Sequence, residues 1–398
     1  MRIAKLAFTV FITIMLVELR VFAQKDFNPE YEKIKPRNSF VPGINVTRGE
    51  TQLIVPERES VCPNGVVFKY NNGDIHVHDR RSSDGGKTWN KFEHILEPST
   101  YQYPEPDGEV VMFKSFDIHN YESDRGVSSA GRYAINILKV TNQEGVFEAR
   151  FFRSNDNGLT RVEETAKIYI PPEEFKEWRG GLCRKIVRIS DGSLLMTTHG
   201  NSTILVIRST DRGRTWHYYS TIVFDLRSGV RHSICEPTLL VLPNDKVLCF
   251  MRSGSTYQGS LGSSNNNDPS IKVPFGYFKS TPIYMSISNN GGRTWSIADP
   301  ITPFGVWPDA VLMKNGIIAV NYGRPGNWLM FSKDEGESWG PIIPFYNDLY
   351  PPDCGNYFSM IEVAPDILLV VYARTDPNDH WKSEIVGTYF KVKRLLND

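Results

Sequence analysis

The sequence predicts an all-β fold built from repeats of one unit. Three observations carry that prediction. The stretch Ser209-Thr210-Asp211-Arg212-Gly213-Arg214-Thr215-Trp216 recurs along the chain. Ser82 to Trp89 matches it at every patterned position, Ser288 to Trp295 replaces the acid with Asn290, and Ser332 to Trp339 replaces Thr with Ser338. Ser154 to Arg161 lacks the tryptophan. The shared pattern, S-x-D-x-G-x-T-W, describes a self-contained turn between strands. Its Asp accepts backbone N–H bonds across the turn, its Gly takes a positive φ, and its Trp packs beneath. Five copies in one chain mark an internal repeat.

The second observation is alternation of short apolar runs with tight turns. Leu239 to Leu242, Pro243-Asn244-Asp245 and Val247 to Phe250 form one such hairpin. Ala310 to Met313 with Asn315-Gly316 and Ile317 to Val320 form another, and Ile186 to Ile189 with Asp191-Gly192 and Leu194 to Met196 a third. The third is composition: aromatics at 12% and 31 glycines suit strands joined by many turns. The only helical signal is a short one near 172–177.

Met1 to Lys5 followed by the apolar run Leu6 to Val17 reads as a signal peptide ending near Ala23, so residues 1–23 are expected to be removed and the protein secreted or periplasmic. The run is too short to span a bilayer, and no later stretch could, so membrane insertion is not expected. Residues 24–50 read as a lead-in without a repeat of its own, and 51–398 as the repeat domain. Units start near Val61, Val110, Leu182, Glu236, Pro308 and Tyr357, which gives six. The last has no patterned turn and ends in the strand Ile385 to Val392. Residues 254–280 form a long polar insertion.

The 45 basic and 45 acidic residues balance, so no bulk field favours nucleic acid or a membrane surface. Cys62, Cys183, Cys235, Cys249 and Cys354 are odd in number and widely spaced, arguing against a disulfide framework or a zinc site. No metal-ligand spacing, phosphate loop or GxSxG elbow is present, so neither metal nor cofactor is expected. The chain is expected to be a monomer.

The repeated turn resembles the Asp-box of the sialidase (BNR-repeat) superfamily, from about Val61 to the C-terminus. The resemblance implies a six-bladed β-propeller with its boxes on the rim, away from the chemistry. Ligands of such a fold bind where first strands begin and second strands end. Aligning the hairpin turns puts Glu236 level with Cys183, Trp307 and Tyr357. The second strands end at His199 and Arg252, with Arg324 and Arg374 one residue out. Three arginines around one axis repel unless an anion sits among them.

Sialidases hold a substrate carboxylate with three arginines, use a Tyr nucleophile paired with a Glu, and use an Asp as acid/base. Cys235-Glu236-Pro237 resembles the Glu segment, Met251-Arg252-Ser253 and Tyr322-Gly323-Arg324 two arginine segments, and Asn356-Tyr357-Phe358 the Tyr segment. Two parts are missing. Val61-Cys62-Pro63 stands where the first arginine is expected, and Gly73 lies too close to Ser82 for the usual acid-bearing loop. Arg37, Arg48 or Arg80 could replace the arginine, and His199, His78 or His232 could supply the proton.

The implied activity is exo-hydrolysis of an acidic sugar from a glycan, with Tyr357 as nucleophile and Glu236 its partner. Arg252, Arg324, Arg374, Trp307, Arg80 and His232 would bind substrate. Elimination from a uronic acid, with Tyr357 and His199 moving protons, is the alternative. A non-catalytic glycan-binding propeller is a third reading. On a purely structural view Glu236 simply pairs with Arg252, and His78 and Asp79 lie on a solvated strand.

Overall fold

A computed structural model describes residues 39–41, 43–59, 66–92, 100–114, 116–117, 134–135, 139–175, 181–199, 204–222, 232–255, 283–302, 305–323, 327–346, 359–376 and 379–395. The expected signal peptide, most of the lead-in and most of the polar insertion fall outside them. Among the described residues the architecture is almost wholly β, with an α-helical turn at Pro172–Phe175 and a 3-10 turn at Pro243–Asp245.

Three antiparallel sheets have four strands each. One runs through Val67–Lys69, Ile75–Val77, Arg80–Ser82 and Asn90–Lys91. The second runs through His232–Val241, Val247–Ser255, Ile283–Ser288 and Asp299–Pro300, and the third through Val306–Leu312, Ile318–Gly323, Asn327–Ser332 and Ile342–Tyr346. A larger sheet consists of two antiparallel halves. Thr100–Pro104, Val110–Lys114, Val146–Ser154 and Val162–Tyr169 form one, and Gly181–Arg188, Leu194–His199, Ile204–Ser209 and Thr215–Ile222 the other. They join by parallel pairing of Lys167 to Tyr169 with Thr215 to His217, where the Tyr169 and His217 rings stack 4.7 Å apart. Val110, read from sequence as a unit start, is in the second strand of its half; the first, Thr100–Pro104, pairs ahead of it.

The last sheet draws on both ends of the chain. Ser359–Ala364, Ile367–Asp376 and Asp379–Arg394 continue into Ile44–Glu59, which pairs antiparallel with Asp379–Arg394, and Ser39–Val41 lies outside it. The lead-in therefore contributes Ser39–Val41 and residues 44–50 to this sheet.

The first strands of successive sheets lie side by side, in the order 100–104, 181–188, 232–241, 306–312, 359–364 and 67–69. Apolar side chains fill the space between neighbouring sheets. Leu240, Leu248 and Phe250, for example, pack with Ala310, Ile318, Val320 and Met330. Cys183 and Cys249 are unbridged fillers, and burial pushes the Cys249 thiol up.

The repeated turns form as their residue types dictate. In the copy at 209–216, Asp211 accepts the amides of Arg214 (3.1 Å) and Thr215 (2.9 Å) and the Thr215 hydroxyl (2.7 Å). Ser209 Oγ donates to Asp211 and accepts Gly213 N–H at 2.7 Å. Trp216 donates its indole N–H to Gly213 O at 3.1 Å. Gly213 has φ +81°, and the residue before it, Arg212, is left-handed as well, as are Asn157 and Glu335 in their copies. In the copy without a tryptophan, Arg161 lies over the Phe152 ring at 4.8 Å.

Each turn also abuts its neighbour. The glycine at 213 faces Val111, that at 292 faces Leu195 and Tyr219, and that at 336 faces Leu248 and Met285. Gly158 faces Tyr70 of the 67–91 sheet, and Gly86 faces Tyr389 of the last sheet. A turn legible as local punctuation is thus also a joint between sheets.

Candidate functional site

First strands of three sheets break register near their starts. The irregularities lie between Cys183 and Val187, Cys235 and Thr238, and Val306 and Asp309. Glu236 and Trp307 occupy matching places in the last two, at φ +52° and +51°. Each precedes a proline, Pro237 or Pro308. Left-handed backbone at a non-glycine residue costs on the order of 1–3 kcal/mol. Bulges re-aim the side chain they carry.

The re-aimed Glu236 carboxylate is held at both oxygens. Arg252 Nη1 lies 2.7 Å from Oε1, and the Trp307 amide donates to Oε2 at 2.9 Å. Arg252 reaches it because Cys235 and Arg252 are cross-strand partners. The structure thus brings Glu236, Arg252 and the Trp307 backbone together, with a correction for the Trp307 side chain. Its indole is buried in the apolar cluster that includes Val66, Leu182, Ile186 and Val306, so its contribution to the site is a backbone N–H.

The other expected residues are placed differently. Arg374 pairs with Glu384 across its own hairpin. Arg80 opens the strand Arg80–Ser82 and lies 3.5 Å from Asp79, which is itself 3.5 Å from His78 Nδ1. His78 and Asp79 are not on a solvated strand: they form the turn joining 75–77 to 80–82, and their side chains are 5% and 14% exposed. That turn is at the same sheet end as Arg252, since it follows the second strand of its sheet and Arg252 lies near the end of the second strand of its own. His199 ends Leu194–His199 and His232 starts His232–Val241, level with the Glu236 region, but their side chains are outside the described residues. Arg324 and Tyr357 are outside them too.

Sequence reasoning missed Asp309. It is fully buried, two residues after Trp307, and accepts Ser359 Oγ and Met360 N–H at 3.0 Å each, its neighbour Ala310 N–H at 3.0 Å, and Lys185 Nζ at 2.5 Å. Its register match to Thr238, seen by aligning the hairpins, was the available signal. Among the described residues no cluster of His, Cys, Asp and Glu could hold a metal ion.

No protein-family model and no curated protein matches the chain. Solved structures do. A protein of unknown function from Dyadobacter fermentans superposes with TM-score 0.62 at 16% identity, over 89% of this chain and 100% of that one. The NanB sialidase of Streptococcus pneumoniae gives TM-score 0.54 at 11% identity, covering 86% of this chain and 70% of that one. The GH93 α-L-arabinofuranosidase of Fusarium graminearum gives 0.55 at 15%, covering 87% and 98%. The chain has a sialidase-like propeller fold. At these identities the likeness extends to the fold alone.

Proposed function

We propose that the protein is a secreted glycoside hydrolase acting on an acidic sugar where the first strands begin, within a six-bladed propeller. The blade count rests on the side-by-side row of six first strands, and on Gly86 meeting Tyr389. One observation carries the site: Glu236 is held in a left-handed backbone so that its carboxylate meets Arg252 at a strand end. Strain of this kind collects where a fold positions chemistry. On this reading Tyr357 is the nucleophile and the Glu236–Arg252 pair tunes it. Arg324 and Arg252 bind the sugar's charge, and the 78–80 turn carries proton-transfer groups.

One observation favours the second reading, elimination from a uronic acid. Both Glu236 oxygens already accept hydrogen bonds, which suits a carboxylate that orients Arg252 better than one that takes a phenol proton. The test is incubation of the purified protein with 4-methylumbelliferyl N-acetylneuraminate, with arabinan oligosaccharides and with uronate oligosaccharides. Released fluorophore or reducing sugar, without ultraviolet absorbance from an unsaturated uronate, supports hydrolysis; that absorbance supports elimination. Release from the neutral arabinan alone would overturn the acidic-sugar reading, and no product from any probe would leave the fold without this activity. Tyr357→Phe is expected to lower turnover by orders of magnitude.

A further inference from the structure

We infer that Lys185 is a ligand for negative charge in this site, acting beside Arg252; the inference rests on the acidic-sugar reading above. Lys185 sits in the irregular stretch between Cys183 and Val187, which has two more residues than its partner strand. From there it passes the intervening 232–241 strand and reaches the 306–312 strand. Its Nζ lies 2.5 Å from Asp309 Oδ1 and donates to Ala310 O at 2.8 Å. Glu236 reaches the same short segment through the Trp307 amide, and brings Arg252 with it. Two cations from different sheets are therefore anchored on Trp307 to Ala310.

Exposure separates the two signs of charge. The Asp309 and Glu236 side chains are 0% and 6% exposed, while those of Lys185 and Arg252 are 25% and 26% exposed. The carboxylates lie underneath and the cations face the solvent side, so the surface offered to a ligand is positive although the four charges sum to zero. An ammonium has three N–H donors. Asp309 and Ala310 take two of Lys185's, which leaves one for a ligand oxygen. Buried carboxylates fix the cations in place beforehand, so little ordering remains to be done when an anion arrives. Lys185 thereby adds a cation to a site whose sequence lacks one arginine of the sialidase pattern.

The measurement is titration calorimetry with N-acetylneuraminic acid, D-glucuronic acid and, as neutral control, L-arabinose. Lys185→Gln keeps a donor for Asp309 and Ala310 but removes the charge. It is expected to weaken acidic-sugar binding roughly 10- to 100-fold and leave the neutral control unchanged. Because that change strands a buried carboxylate, the double variant Lys185→Gln/Asp309→Asn provides a neutral pair in a folded protein and should lose the same affinity. Asp309→Asn alone keeps the cation but loosens its anchor, and should bind acidic sugar more tightly than Lys185→Gln. Unchanged acidic-sugar affinity in the folded double variant would show that Lys185 only compensates Asp309, overturning the inference while the functional reading stands. A parent protein that binds neither acid removes both.

Discussion

Glu236 and Trp307 share a backbone conformation that their residue types disfavour, yet they use it for opposite ends of one hydrogen bond. The carboxylate of one accepts the amide of the other, so the second bulge completes what the first begins. Glu236→Gln keeps the shape but exchanges a charged acceptor for a neutral one opposite Arg252. It is expected to weaken acidic-sugar binding less than Arg252→Ala, and comparison of the two affinities checks this. Turn aspartates give a second residue-level expectation. Desolvation raises the Asp156 carboxyl, but hydrogen bonds from Ser154, Thr160 and the backbone outweigh it and hold its pKa at about 2. The unfolded value is about 3.9. A lowered folded value means stabilisation that is complete above roughly pH 4 and is lost as pH falls towards 2. Melting temperature should fall across that window, and less steeply in Asp156→Asn.

At the level of elements, the repeated turn was legible because each of its bonds closes within four residues. Ser, Asp, Gly and Thr report their own partners, and the hairpin turns do the same. The bulges were not legible, since a Glu-Pro or Trp-Pro step does not announce a positive φ. Aligning strands gave Trp307 its place but not the direction of its indole. Lys185 and Asp309 were invisible as a pair because their contact passes the first strand of an intervening sheet. The turn glycines offer a graded test. A Cβ at Gly213 would be 3.1 Å from Val111 with φ +81°, whereas at Gly85, φ +78°, it would meet nothing within 4 Å. Gly85→Ala should cost about 1 kcal/mol from backbone strain alone. Gly213→Ala should cost about 2–4 kcal/mol, because Val111 in the neighbouring sheet must also move. Denaturant titration of the two variants would show equal losses if the turns were not joints.

Across the molecule, neighbouring sheets are fastened at both their turns and their hairpins. Ser190 donates its amide and hydroxyl to Asp245, Asn315 donates to Asp366, and Lys314 N–H donates to Glu362, each across a sheet boundary. Arg212 and Arg214 of one turn meet Asp107 and Glu109 of the preceding half-sheet. Removing residues 1–59 takes away the long partner of Asp379–Arg394 and leaves a sixteen-residue strand with an open edge. Such a protein is expected to elute as aggregates on gel filtration, ahead of the full chain. That same strand sets an order of events at the ribosome. Ile44–Glu59 emerges long before its partner Asp379–Arg394. The earliest patterned turn waits as long, since Tyr389 is what Gly86 leans on. A nascent chain halted before residue 379 should therefore leave the 44–59 strand open to protease, whatever the middle has achieved, and synthesis of its partner should close that sheet in one step.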